Sequence, residues 1–99
     1  MIDANRIHKA LANPLRRDIL AWLKNPRATF PKAHIDVGHG VPVNAIQALS
    51  GLSQASVSAH VAVLVEAKLL IAARVGQWVF LSRNEETIRA FAKHVALQL

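Results

Sequence analysis

Ninety-nine residues are enough for one domain with a modest core, so residues 1–99 are read as a single unit. A hydrophobic content of 53% excludes a disordered tail and implies that some apolar surface is buried between subunits. Twelve Lys and Arg against six Asp and Glu leave +6, which favours an acidic partner such as nucleic acid, while zero cysteines exclude disulfides, thiolate metal sites and thiol redox sensing.

The positive charge is uneven. Between Asn5 and Lys32 lie seven basic residues and one acid, Asp18, whereas Val41 to Val65 contains no Lys, Arg, Asp or Glu. Asp3, Arg6, His8 and Lys9 interrupt any apolar stretch of a signal peptide, and Glu66 and Lys68 break the longest apolar run. A cytoplasmic protein without membrane contact is the expectation.

In chain order, Ile7 and Leu11 share one face of a first helix over Ala4–Leu11. Asn13-Pro14 restarts the chain, Asn as N-cap and Pro at the first helical position. Leu15, Ile19, Trp22 and Leu23 form the stripe of this second helix, which Asn25-Pro26 ends. An irregular connection, 27–42, follows; it carries Pro31, Gly38, Gly40 and Pro42 and is longer than most loops in compact domains. Asn44 is expected to cap a third helix ending at Ser50. Gly51-Leu52 breaks that helix, and Ser53 caps a fourth running to about Lys68.

The fourth helix carries the most information. Val57, Val61, Leu64 and Val65 form its apolar stripe, and the opposite side holds Ala55, Ser56, Ala59 and Ala62, flanked by Gln54 and Ser58. A solvated helix face normally carries Lys and Glu. An uncharged face of Gln, Ser and Ala suits a DNA major groove, where amides and hydroxyls read base edges and alanines allow close approach. This is the expected recognition helix. Strands are expected over Leu70–Val75 and Gln77–Ser82, joined at Gly76, with Trp78 and Phe80 on one buried face. Asn84, Glu85 and Glu86 open a last helix whose stripe is Ile88, Phe91, Ala92, Val95 and Leu99.

The order α-α-α-α-β-β-α, mainly α with a β-hairpin wing, is that of a winged helix-turn-helix domain. The segments KALANPLRRDIL (9–20), GLSQASVSAHVAVLVEAKLL (51–70) and RVGQWVFLSRN (74–84) resemble the ArsR/SmtB family of bacterial repressors. The resemblance covers nearly the whole chain except 27–42. One departure from the generic pattern is Gln47, four residues before Gly51, where a small residue often eases the helix crossing. The resemblance implies a homodimeric repressor that binds an inverted-repeat operator in double-stranded DNA and is released by an inducer. It also implies a dimer interface of first and last helices, carried here by Ile7, Leu11, Ile88, Phe91, Val95 and Leu99.

The expected DNA contacts are Gln54, Ser56, Ser58, Ala59 and His60 on the recognition helix and Arg74, Gln77 and Arg83 on or beside the wing. Ser56 serves equally well in local capping, and His60 at the stripe edge equally well as a packed residue. Arg16 and Arg17 are expected either to meet the DNA backbone or to be solvated. Alanines offer no hydrogen bonds, so operator choice is expected to lean on DNA shape and half-site spacing as well as on base contacts.

No cofactor is expected. The metal sites implied by the resemblance need cysteines, or Asp/His and His/Glu pairs at the two ends of the last helix; this chain offers Arg83, Glu85 and Glu86 at one end and His94 alone near the other. A weaker metal candidate is His34, Asp36 and His39 in the long connection. Enzyme readings fail on inventory: Ser56 and His60 lack an orienting acid, and no phosphate loop occurs. The remaining alternative is a winged helix used for protein interaction, but such a surface would expose aromatics where this one shows Gln, Ser and Ala. A small-molecule effector remains open.

Overall fold

Short polar caps and fixed prolines set the boundaries of the N-terminal helices. The computed structural model describes residues 2–99. Helix α1 (Ala4–Leu11) is capped by Asp3, whose carboxylate accepts from the Arg6 N–H, and it buries Ile7 and Ala10. Ile7 is fully enclosed by its own chain, which removes it from the expected dimer surface. Helix α2 (Pro14–Lys24) begins as expected, with Asn13 Oδ1 accepting from the N–H of Leu15 and Arg16 at 2.9 and 3.3 Å.

The connection after α2 is more structured than its sequence implies. Pro26–Thr29 form a short helix, α3, and Val41–Pro42 form a strand, β1. Between them Asp36 and Gly40 exchange two backbone hydrogen bonds of 2.9 and 2.8 Å, closing a tight loop. Asp36 Oδ1 accepts from the N–H of Gly38 and His39 and lies 2.9 Å from His39 Nδ1. These bonds, that from Gly38 foremost, hold the Asp36 carboxyl below its usual range. Gly40 follows with φ +106°, and a Cβ there would run into the Leu81 carbonyl. That close approach lets β1 pair antiparallel with the third strand.

Helix α4 (Val43–Ser50) starts earlier than expected. Pro42, fixed at φ −65° and paired at the sheet edge, takes the N-cap position, so Asn44 lies inside the first turn. The helix ends at Gly51, in the left-handed region at φ +71°, whose N–H donates to Gln47. Helix α5 (Gln54–Glu66) follows after a turn of 117°, the geometry of a helix-turn-helix. Ser53 Oγ accepts from the Ser56 N–H at 3.2 Å. Val57, Val61 and Leu64 face inward.

The end of α5 is a Schellman motif: Lys68 N–H donates to Val65 and Leu69 N–H to Leu64, both at 3.0 Å. Lys68 stands at the left-handed position with φ 64°, where glycine is usual. Strands β2 (Leu70–Val75) and β3 (Trp78–Arg83) form the hairpin, in register from Leu70↔Arg83 to Val75↔Trp78. The turn is Gly76-Gln77, so β3 begins one residue later than expected; Gly76 supplies the positive φ required at the first of two turn positions. The sheet order is β1-β3-β2.

Asn84 caps the last helix, α6 (Glu85–Gln98), by accepting from the Thr87 N–H. Ile19, Ile46, Val57, Leu64, Leu69 and Leu81 form the centre of a core that joins α2, α4, α5 and the sheet. Helix α6, in contrast, has no fully buried residue. Ile88 and Phe91 rest half-buried against the core, while Leu97 and Leu99 are 74% and 97% exposed. Trp78, expected in the core, is 45% exposed and stacks on Phe80 with ring centroids 6.0 Å apart. Among the described residues, no single helix is long and apolar enough to cross a membrane.

Two backbone positions and one carboxylate give opposite stability effects. Lys68→Gly relieves left-handed strain and should raise unfolding free energy by about 1 kcal/mol, a gain of roughly 4–8 °C in Tm measured by calorimetry. Gly40→Ala should lower it by about 2–4 kcal/mol, because β1 must move off β3; unchanged urea unfolding would contradict this close approach. Asp36 has a folded pKa below its unfolded one, so its stabilising contribution is full above the ordinary carboxylate range and fades as pH falls through the lowered value. The Tm of the native chain should therefore fall more steeply below about pH 4 than that of Asp36→Asn, which keeps an acceptor oxygen but does not titrate.

Candidate nucleic-acid interface

Because Val57, Val61 and Leu64 anchor α5 along one side, its remaining circumference faces solvent from the first turn onward. Ala55, Ala59 and Ala62 are all exposed and form a smooth ridge without charge. On the wing side of this ridge, Gln54 and Ser58 open into a groove of about 450 Å3 between α5, the start of α4 and the hairpin. Gln77 at the hairpin turn and Asn44 on α4 line the same groove, and Trp78 forms its wall. With Gln47, four amides and a hydroxyl thus converge on one concavity. Gln47, the departure noted in the helix-turn-helix pattern, also turns its side chain into this groove.

The other side of the ridge is built differently. Ser56 is engaged locally: its N–H donates to Ser53 Oγ, and the two hydroxyls are 3.1 Å apart. His60 Nδ1 lies 3.3 Å from Nη1 of Arg16. Arginine can only donate, so Nδ1 is the acceptor in this contact. Arg16 also donates to the carbonyls of Ala10 and Lys9, and Arg17 donates to that of Leu11. Both arginines therefore help close the C-terminal end of α1, where positive charge is favourable; Arg16 is partly buried, whereas Arg17 stays exposed and donates from one nitrogen. Arg16 in addition links α1 to the flank of α5.

The wing residues separate as sharply. Arg74 and Gln77 are exposed, and Arg74 makes no ion pair among the described residues. Arg83 is committed to the fold. Its Nε and Nη2 grip the Glu85 carboxylate at 2.8 and 3.2 Å, and Nη1 donates to the Leu20 carbonyl at 3.1 Å. With its side chain 14% exposed, Arg83 has no donor surface comparable to that of Arg74. The same fork holds the Glu85 carboxyl below its usual range. Glu85 thus serves both as a favourable charge at a helix start and as the partner of Arg83 across the strand end, a pairing that residue spacing does not reveal.

The histidines of the long connection do not converge. His34 packs its ring near Trp78, His39 lies against Phe80, and Asp36 Oδ1 is occupied by Gly38 and His39. Among the described residues no group of three His, Asp or Glu side chains could hold a metal ion, which overturns the His34, Asp36, His39 candidate. Sequence reading also missed Asn44 and Trp78 as groove residues. The tryptophan's alternation with Phe80 was a visible signal, but it was read as core because strand periodicity alone does not tell the last residue of a buried face from the first beyond it.

No family model matches the chain. It is 34% identical over 95 residues to the HTH-type transcriptional regulator YbzH of Bacillus subtilis (strain 168), covering 94% of this chain and 95% of that protein. Among solved structures, the homodimeric winged helix-turn-helix DNA-binding domain Mb0332 of Mycobacterium bovis superposes with a TM-score of 0.65 at 26% identity, covering 94% of this chain and 75% of that one. A crystallised ArsR family transcriptional regulator gives a TM-score of 0.73 at 20% identity, covering 99% of this chain and 92% of that one. These relatives are transcriptional regulators, and the chain belongs to the HTH-type transcriptional regulators, with the winged helix-turn-helix fold of its solved neighbours.

Proposed function

We propose that the chain acts as a homodimeric repressor that binds an inverted-repeat operator and is released by an inducer. The observation that carries the DNA half is the groove in which Gln54 and Ser58 of α5 meet Gln77 of the hairpin, with the uncharged alanine ridge beside it. Amides and hydroxyls at such a position suit base edges, and Arg74, exposed on β2 of the same hairpin and without an ion pair among the described residues, suits phosphate. Helix α6 supports the dimer: its apolar residues find no full burial within one chain, and Leu11, Phe91, Val95 and Leu99 supply a surface that a second copy would cover. Mb0332, of like fold, is a homodimer. In such a dimer the two α5 helices would enter successive major grooves roughly 34–36 Å apart.

Base-directed donors and acceptors are few, so operator choice should combine contacts with DNA shape and half-site spacing. Trp78 is an aromatic at the groove margin, the feature that a protein-interaction module would use, yet α5 itself presents no aromatic. The DNA reading is therefore preferred.

Fluorescence anisotropy on a duplex from the region upstream of the coding sequence, with a scrambled duplex alongside, tests this reading. If each dimer neutralises six to ten phosphates, affinity should fall by about 10³–10⁵ between 50 and 200 mM salt. Gln54→Ala and Ser58→Ala should each narrow the preference for the native duplex, by about 1–3 kcal/mol per lost base contact. Arg74→Ala should weaken both duplexes alike and reduce the salt slope by about two, one phosphate per protomer. Arg83→Ala should instead lower Tm. Equal, weak binding to both duplexes would reject the repressor reading and favour the protein-interaction alternative.

A further inference from the structure

Trp78 also borders a second cleft, larger than the groove, of about 620 Å3. Three parts of the chain border this open cleft: Phe30, Pro31, Lys32 and His34 from the segment before β1, Leu49 from α4, and Trp78 from the wing. Pro42, Asn44 and Trp78 line both this cleft and the groove that holds Gln54 and Ser58. The two cavities share a wall, and the indole is part of it.

The cleft's chemistry specifies an occupant. Its volume is that of a small-molecule site, and its lining is largely apolar. Trp78 and Leu49 remain nearly half exposed, flat surfaces that nothing in the chain covers. The His34 ring lies 6.0 Å from the indole at 37°, too near to admit a ring between them, so a planar group would lie on the exposed part of the indole beside the imidazole. Lys32 is exposed and makes no ion pair among the described residues, and no Asp or Glu lines the cleft. An anion on a flat ring meets all of these features.

We propose that this cleft is an effector site for a small planar aromatic carboxylate, its ring against Trp78 and Leu49 and its carboxylate toward Lys32. Occupancy weakens DNA binding, because the ligand bears on the indole that also walls the groove. The site stands on the cleft alone; the coupling rests on the DNA-binding reading above. A ligand shifts binding at a second site by its differential affinity for the two states, and the shift is reciprocal.

The test uses the full-length ¹⁵N-labelled protein, in which Trp22 and Trp78 give two indole N–H resonances, assigned through Trp22→Phe. Titration with 1-naphthoate should move the Trp78 resonance to saturation with a Kd below about 1 mM and leave that of Trp22 in place. 1-Naphthylmethylamine and hexanoate should bind at least about tenfold more weakly, as should 1-naphthoate to the Lys32→Glu variant. Comparable shifts from the amine, or equal shifts at both tryptophans, overturn the site. Saturating 1-naphthoate should then weaken operator binding at least about fivefold, and operator-bound protein should lose affinity for 1-naphthoate by the same factor. Binding at Trp78 with unchanged DNA affinity overturns the coupling and leaves the repressor reading intact. Failure of the ligand-free protein to prefer its duplex overturns that reading and the coupling together, while the Trp78 titration still decides the site. Loss of DNA binding in Lys32→Glu, with no 1-naphthoate response at Trp78, assigns the cleft cations to phosphate and overturns the proposal.

Discussion

Helix α5 must keep most of its circumference in solvent, and the rest of the architecture follows from holding it there. A helix of 13 residues is marginal by itself in water, and here one narrow stripe, Val57, Val61 and Leu64, does the anchoring. Each such side chain contributes about 1.5–3 kcal/mol on burial. The remainder comes from the ends. Ser53 fixes the first turn, and the 117° crossing sets α4 against the helix's N-terminal half. The Schellman motif at Lys68 feeds the chain straight into β2, with Leu64 and Leu69 packed on each other's side of the bend. Arg16 braces the flank through His60 while closing α1. A bare helix face is thus supported from its termini and one edge.

The same constraint accounts for the long segment before α4. A winged helix needs the hairpin held at a fixed distance from the reading helix, and a two-stranded ribbon by itself is weakly stable. Strand β1 supplies the third strand, with Val41 opposite Leu81, and Gly40 permits the approach that brings it there. The loop closed by Asp36 aims the chain into that strand. Residues 27–42 therefore stiffen the wing's base, and the cleft they border with α4 and Trp78 is a by-product of this bracing that is available for use.

Elements with local signals were legible in the sequence. Asn13-Pro14, Ser53 and Asn84 bond to the N–H groups that their positions imply, Gly51 and Gly76 take the left-handed conformations that a helix end and a tight hairpin require, and the α5 stripe is the buried one. The errors share a cause. Strand β1 has two residues and no period; Asn44 lost the cap position because Pro42 is fixed by pairing to β3; Ile7 and Trp78 were placed by face and not by depth. Arg83 resembled a wing cation until its partners, Leu20 63 residues away and Glu85, fixed it in the fold. Tertiary partners at long separation leave no trace in spacing.

Charge behaves in the same way. The basic cluster of the N-terminal third reads in sequence as a phosphate surface, yet Arg16 and Arg17 spend their donors on the last carbonyls of α1. Their charge still contributes to the field that draws DNA toward the protein, because long-range potential depends on net charge and not on hydrogen bonding. Arg16 is tied into the fold through three nitrogens, while exposed Arg17 donates through one. On the DNA-binding reading, attraction and positioning fall to different cations: Arg16 and Arg83, tied into the fold, add to the field, and exposed Arg74 on β2 is available for contact. A count of basic residues predicts the former and overestimates the latter.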